Sequence, residues 1–204
     1  MMPEQIRLRL ALALMILALM LNGCARDPMV GITNDVGAPI AEVSTDPLSP
    51  EQQMKLDRAD AASARAQWAE AESILAPLVA SRPGEPDLKA RLAWVRQQQG
   101  DRAGASQLYR EALAGNPDNL MARNNLALLL QQDGDFEAAA TLLRQGIERG
   151  LDAPELHFNL AVLSELYLLD LEAALHHYRA YQSSIGEDND DVKGWIADLE
   201  RRLK

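Results

Sequence analysis

The chain has 204 residues, 48% hydrophobic and 25% charged, which is the range of a soluble globular domain able to bury a core and leads us to expect one domain after processing. Aromatic residues make up only 4%, so helix contacts fall to Leu and Ala, which suit close helix-on-helix packing and lack strand-type patterning. The formal charge of −10 and pI near 4.8, with Lys and Arg concentrated on no stripe, argue against a phosphate-backbone interface and so against nucleic acid as a partner.

At the amino terminus Arg7 and Arg9 precede an uninterrupted apolar run of twelve residues, Leu10 to Leu21. A bilayer-spanning helix needs roughly 20, so the run reads as the core of a signal peptide over residues 1–23. It ends in Leu21-Asn22-Gly23-Cys24, which resembles the lipobox of bacterial lipoproteins, with Asn22 where that family usually has a small or branched residue. The resemblance implies cleavage before Cys24 and lipidation of its thiol. Ala25 stands where an Asp commonly signals inner-membrane retention in that family, which implies the periplasmic face of the outer membrane. Acyl chains at about 0.8 kcal/mol per buried CH₂ would anchor the product without a spanning helix. The other reading of Cys24 is an unmodified residue trailing a membrane anchor. As the single cysteine, it allows no intramolecular disulfide even in an oxidising compartment.

Residues 24–50 form the next segment. Its 26 residues from Ala25 to Pro50 hold Pro28, Pro39, Pro47, Pro50, Gly31 and Gly37 without helical or alternating period, the composition of a disordered tether. As a flexible coil it would span about 25 to 30 Å, enough to float a folded domain off a lipid surface; a spacer with no binding role is the simpler reading.

From residue 51 to 185 the sequence repeats. Ala59, Ala93, Ala127 and Ala161 are 34 residues apart, each within helical apolar spacing, and Ala71, Ala105 and Ala139 keep the period at an offset of twelve, the fourth unit reaching Ala174 after thirteen. Turns such as Gln99-Gly100-Asp101 and Asp133-Gly134-Asp135 separate the two alanines of a unit, and Pro83 and Pro117 follow at the same period. Leu92-Ala93, Gly100-Asp101, Ala105, Tyr109, Ala112 and Pro117, and again Leu126-Ala127, Gly134-Asp135-Phe136 and Ala139, resemble the tetratricopeptide repeat family, with Gly146 and Leu151 in place of its usual Ala and Pro. The first unit, with Trp68, Ala71, Leu75 and Pro83, has Gln67 at the place of the turn glycine. The fourth, with Leu160-Ala161, Leu171, Ala174 and Tyr178, carries one extra residue. The resemblance implies an all-α fold, a short α-solenoid of about four helical hairpins. The alanines are structural, because hairpin helices approach closely only where side chains are small.

Residues 186–204 begin with a polar break, Gly186 to Asp191, followed by an amphipathic segment from Val192 to Leu203 with Trp195, Ile196, Leu199 and Leu203 on one side. We read it as a capping helix over the apolar end of the last hairpin, with Asp190 or Asp191 as its N-cap. A calcium loop is the alternative for the acidic run, which lacks the glycine and closing glutamate of an EF-hand.

No catalytic motif stands out, and we expect no enzyme, cofactor, metal or small-molecule substrate. His176 and His177 are neighbours about 100° apart on a helix, poorly placed to share a metal, and we place His157 in a different hairpin. In stacked hairpins the first helix of each repeat lines the concave surface. Arg91, Asn125 and Asn159 recur 34 apart there, beside an apolar row of Trp94, Leu128 and Val162, and together they resemble the peptide groove of the family. Two readings of the asparagines stay open: amides that hold a protein or peptide ligand, or amides that bond local backbone and set the packing between repeats. The architecture is similar to repeat lipoproteins that serve as pilotins or scaffolds in pilus biogenesis and secretion, including tight-adherence pili of the TadD type. An adaptor for peptidoglycan enzymes, or an accessory to an energised outer-membrane transport system, is the second reading. A metal-dependent or hydrolytic enzyme using His176 and His177 is the third.

Overall fold

The computed structural model describes residues 46–151, 153–186 and 189–204. The signal peptide, Cys24 and the tether as far as residue 45 lie outside the described residues, as do Glu187 and Asp188 of the acidic run. Everything below concerns the unit from Ala41 to Lys204.

Nine helices and no strand are found among the described residues: α1 Pro50–Ala64, α2 Trp68–Ser81, α3 Pro86–Gln98, α4 Arg102–Gly115, α5 Leu120–Gln132, α6 Phe136–Glu148, α7 Pro154–Leu166, α8 Leu171–Ser184 and α9 Asp190–Arg202. The first eight pair as four antiparallel hairpins, α1 with α2 through α7 with α8, each packing on its neighbours in chain order. This is the expected α-solenoid.

Local chemistry sets where these helices begin. Three of the four first helices start with Pro at their opening positions, Pro50, Pro86 and Pro154, where the missing N–H would have had no partner and φ is already helical. The fourth, α5, is capped by Asn119, whose side chain accepts from the Ala122 N–H at 2.8 Å. Second helices start with Asp101, Asp135 and Asp170, whose carboxylates accept from Gly104, Ala138 and Ala173 N–H at 2.9, 3.3 and 3.0 Å. The hairpin turns need one left-handed residue, supplied by Gly100 (φ 88°) and Gly134 (φ 83°).

In the first hairpin the left-handed position is Ala66 (φ 57°), not Gln67. Counting 34 back from Gly100 gives 66, and Gln67 is the N-cap of α2, aligned with Asp101 but making no side-chain cap bond. In the fourth hairpin the extra residue moves the left-handed position to Leu169 (φ 57°). The solenoid also starts earlier than residue 51. Ser49 and Gln52 form a reciprocal capping box, Leu48 packs on the first core cluster, and Arg82 donates to the carbonyls of Asp46 and Pro47. At the other end Asn189 caps α9 by accepting from the Val192 N–H at 3.1 Å; Asp190 and Asp191 instead lie in the first turn, where their charge suits the dipole. Val192 and Leu199 are buried, but Leu203 is the C-cap residue and is exposed, so it does not belong to the packed face.

Both alanine ladders are buried in every repeat. The core runs as four successive clusters, each taking in one hairpin and the first helix of the next, and the last closed by α9 through Val192 and Leu199. First helices also meet directly, α3 with α5 and α5 with α7, which puts them on the inner radius of the stack.

Candidate functional site

Arg91 and Trp94 lie on α3, Asn125 and Leu128 on α5, and Asn159 and Val162 on α7, at equivalent places on three stacked first helices. All six are half-buried. Their engagement within the chain differs from row to row.

In the polar row, Arg91 Nη1 donates to both carboxylate oxygens of Asp60 on α1, at 2.6 and 2.7 Å. Asn125 Nδ2 donates to the carbonyl of Met121 one turn earlier, at 2.8 Å. Asn159 Nδ2 donates to Asn124 Oδ1 across the repeat boundary, at 2.6 Å. One amide N–H of each asparagine therefore makes the local or inter-repeat bond of the second reading, which leaves the second N–H and the side-chain carbonyl oxygen as the groups a ligand in the groove would meet.

In the apolar row, Trp94 stands edge-on to Trp68 of α2, with centroids 5.1 Å apart at 86°, and packs against both the first and second core clusters. It is as much a core residue as a groove residue. Val162 packs against the fourth cluster. Leu128, between them, is half-buried on α5. Asp60 and Asn124 complete the inner surface and were not singled out from sequence. Asp60 was within reach of the register, because it stands 34 residues before Trp94.

The histidines are arranged otherwise than expected. His157 is on α7 and His177 on α8, the two helices of one hairpin, so they do not belong to different hairpins. Their Nδ1 atoms lie 3.0 Å apart, with ring centroids at 5.2 Å, about as far as two imidazoles reach at that nitrogen separation. The nitrogens point at each other, the geometry of an N–H···N hydrogen bond and not of two ligands converging on a third atom. Burial pushes the His177 pKa down to about 4, with the charges of His176, His157 and Arg144 adding and Asp170 opposing. Among the described residues no group of three His, Cys, Asp or Glu is placed to hold a metal ion. The register held a signal for this contact: Arg123, 34 before His157, donates to the carbonyl of Leu142, which stands 35 before His177.

Away from the groove, a cleft of about 640 Å³ opens between α1 and α2, lined by Lys55, Arg58, Ile74, Pro77 and Leu78 among others; none of the six groove residues borders it.

Residues 96–163 match the tetratricopeptide repeat family. The sequence matches no curated protein. Among solved structures, PilF of Pseudomonas aeruginosa superposes with a TM-score of 0.66 at 21% identity, over 74% of this chain and 68% of that one. MamA of Desulfovibrio magneticus RS-1, from residue 41 to its end, gives 0.64 at 12% identity over 77% and 88% of the two chains. A tetratricopeptide repeat protein from Parabacteroides merdae gives 0.63 at 18% identity over 74% and 60%. At such identities the likeness is one of fold.

Proposed function

We propose that this chain is a tetratricopeptide-type scaffold, tethered by a lipid on Cys24 to the periplasmic face of the outer membrane, that binds protein partners on its inner surface and catalyses nothing. The observation that carries the reading is the stacking of α3, α5 and α7 in one register, which lays Arg91, Asn125 and Asn159 beside Trp94, Leu128 and Val162 on one surface. A row of polar side chains next to an apolar row suits a peptide with a polar backbone and a few apolar anchors. The anchor rests on the lipobox resemblance of Leu21 to Cys24. Assembly of a pilus or secretion system is the process we favour, on the resemblance to pilotin-type repeat lipoproteins, and the fold shared with PilF is in keeping with it.

The test is a photo-crosslinking amino acid placed at Leu128 in the full chain, with Gln107, exposed on the second helix α4, as the control position. The expected result is one partner trapped from Leu128 and none from Gln107, with loss of the membrane fraction in Cys24→Ser. A pilus or secretion component in the crosslink supports the process named. A peptidoglycan hydrolase there would move the chain to the adaptor reading, and equal crosslinking from both positions would remove the groove.

A further inference from the structure

In the hairpin turn between α7 and α8, Tyr167 and Leu168 pack against the third core cluster, while Leu166 and Leu169 stay exposed. The second and third repeats end their first helix and turn with Gln98-Gln99-Gly100 and Gln132-Asp133-Gly134; the fourth reads Leu166-Tyr167-Leu168-Leu169. Gln98 and Gln132 are exposed, and Leu166 at the matching place is 50% exposed. Leu169 takes the left-handed backbone that Gly100 and Gly134 take in the second and third turns and Ala66 in the first, φ 57°, and is 76% exposed. A branched side chain in that region is strained, and a leucine in water gains nothing from burial. Two unfavourable features thus coincide at one residue, where Gly would remove both.

The surroundings extend the surface and give it a charge. Tyr167 stacks on Phe136 at 4.2 Å and 22°, carrying the apolar patch from this turn to the start of α6 in the preceding repeat. Asp135 and Glu137 flank Phe136, and Asp170 and Glu172 follow Leu169; all four are exposed. Two of the four double as helix caps through one oxygen each, Asp135 to Ala138 and Asp170 to Ala173. Two cations stand near this rim: Arg144, whose guanidinium is 3.9 Å from Glu137, and Arg102, which pairs with Asp133. An exposed apolar patch with a polar rim marks a contact surface, and the acidic rim selects against an anionic lipid surface and for a cationic neighbour.

We propose that the α7–α8 turn is a second docking surface, separate from the inner groove, for a polypeptide segment that presents an apolar side chain flanked by lysine or arginine. Leu166 and Leu169 would take the apolar anchor against Tyr167 and Phe136, and the four carboxylates would meet the basic flanks.

The test uses the full chain and two synthetic peptides of one length, each with a central Leu and Phe, one flanked by Lys and the other by Glu. The variants are Leu169→Gly, which relieves the strained φ, and Leu166→Gln, which installs the residue type of the earlier repeats. Neither should unfold the chain, and Leu169→Gly should melt no lower than the parent. The expected result is binding of the Lys-flanked peptide that weakens as salt is added, no binding of the Glu-flanked peptide, and a loss of about tenfold or more in affinity in the double variant. Equal binding by parent and double variant would mean generic attraction to an acidic protein and would overturn the proposal. So would failure of the Lys-flanked peptide to bind at all, or binding of phosphatidylcholine vesicles that is lost in the double variant, since the surface would then be read as lipid-facing.

Discussion

Arg123 is almost fully buried on α5, its Nη1 donating to the Leu142 carbonyl at 2.8 Å and its Nη2 to that of Pro117 at 2.5 Å. Burial, with the nearby charge of Arg149, holds its pKa below the usual arginine range, against the pull of Asp118. This side chain explains Gly146, which breaks the family pattern where Ala112 keeps it. A Cβ at 146 would come within 2.5 Å of Arg123 Cδ and 2.8 Å of Leu156 Cδ1. Gly146→Ala gains roughly 1 kcal/mol in helix propensity but overpacks a filled site at about 1 to 3 kcal/mol; we expect a net loss of stability in chemical denaturation, and an unchanged midpoint would refute the fit. The next position in the same register is His157, whose neighbour His177 carries a pH dependence that burial sets. His177 has a folded pKa of about 4, depressed from 6.5, so between those values the unfolded chain binds more protons than the folded one. Its contribution is therefore complete above pH 6.5 and declines as pH falls toward 4. Melting curves at pH 7.5 and 4.5 should differ more in the parent than in His177→Gln; identical differences would count against a buried neutral imidazole. None of this was legible as pairwise contact in the sequence, because single polar residues at core positions carry no periodic signal. Only comparing repeats, Arg123 with His157 and Leu142 with His177, exposes it.

At the scale of the helix pair, what could be read was what repeats. The two alanine ladders placed all four hairpins, since a position that closely packed helices must keep small recurs with the period of the fold. Ala127 is buried in the third cluster beside Leu143 and Leu160, so Ala127→Leu should cost about 1 to 3 kcal/mol. Ala61→Leu on the exposed side of α1 should stay within about 0.5 kcal/mol; equal effects of the two on thermal unfolding would put the register in error. What slipped by a residue were the ends of elements. Ala66 and Gln67, or Asn189 and Asp190, are adjacent in the chain, and which one turns left-handed or caps is decided by the geometry of the following helix. Contacts between repeats follow a further period that composition hides. Asp60 with Arg91, Arg102 with Asp133 and Asp118 with Arg149 are each 31 residues apart and join neighbouring hairpins. Pairs so open to solvent are weak because water screens them, so they fix the stagger of the stack more than its stability.

Across the whole solenoid the two ends are finished by different chemistry. At the carboxyl end a helix covers the last hairpin: α9 buries Val192 and Leu199 with Tyr178 and is tied down by Arg202 to buried Glu165 at 3.1 Å and by Arg179 to Glu200 at 2.6 Å. Tyr178 donates to the same Glu165 at 3.2 Å, as Tyr109 donates to Gln97 two repeats earlier at 2.9 Å, so the last repeat carries Glu where an inner one has Gln, and the arginine of α9 meets it. At the amino end no helix precedes α1 among the described residues. Met54 is 65% exposed, whereas Leu88, Ala122 and Leu156 at its place in later repeats are buried. Arg58 stands where Leu92, Leu126 and Leu160 are buried against the preceding hairpin, and it pairs with Glu70 of α2 at 2.9 Å. The sequence displayed these first-repeat departures, but an arginine in a leucine register reads as a weak repeat until it is seen on the first helix of the described stack. Arg58 thus puts a charge, beside the exposed Met54, on a face that in later repeats stacks on the preceding hairpin. Arg58→Leu would complete the apolar ladder without giving it anything among the described residues to pack on. The melting temperature should therefore not rise at low concentration, while sedimentation should show association growing with protein concentration and unaffected by salt, the signature of an apolar contact and not of lost charge repulsion. A variant that stays monomeric at every concentration would show that Arg58 does not guard this end.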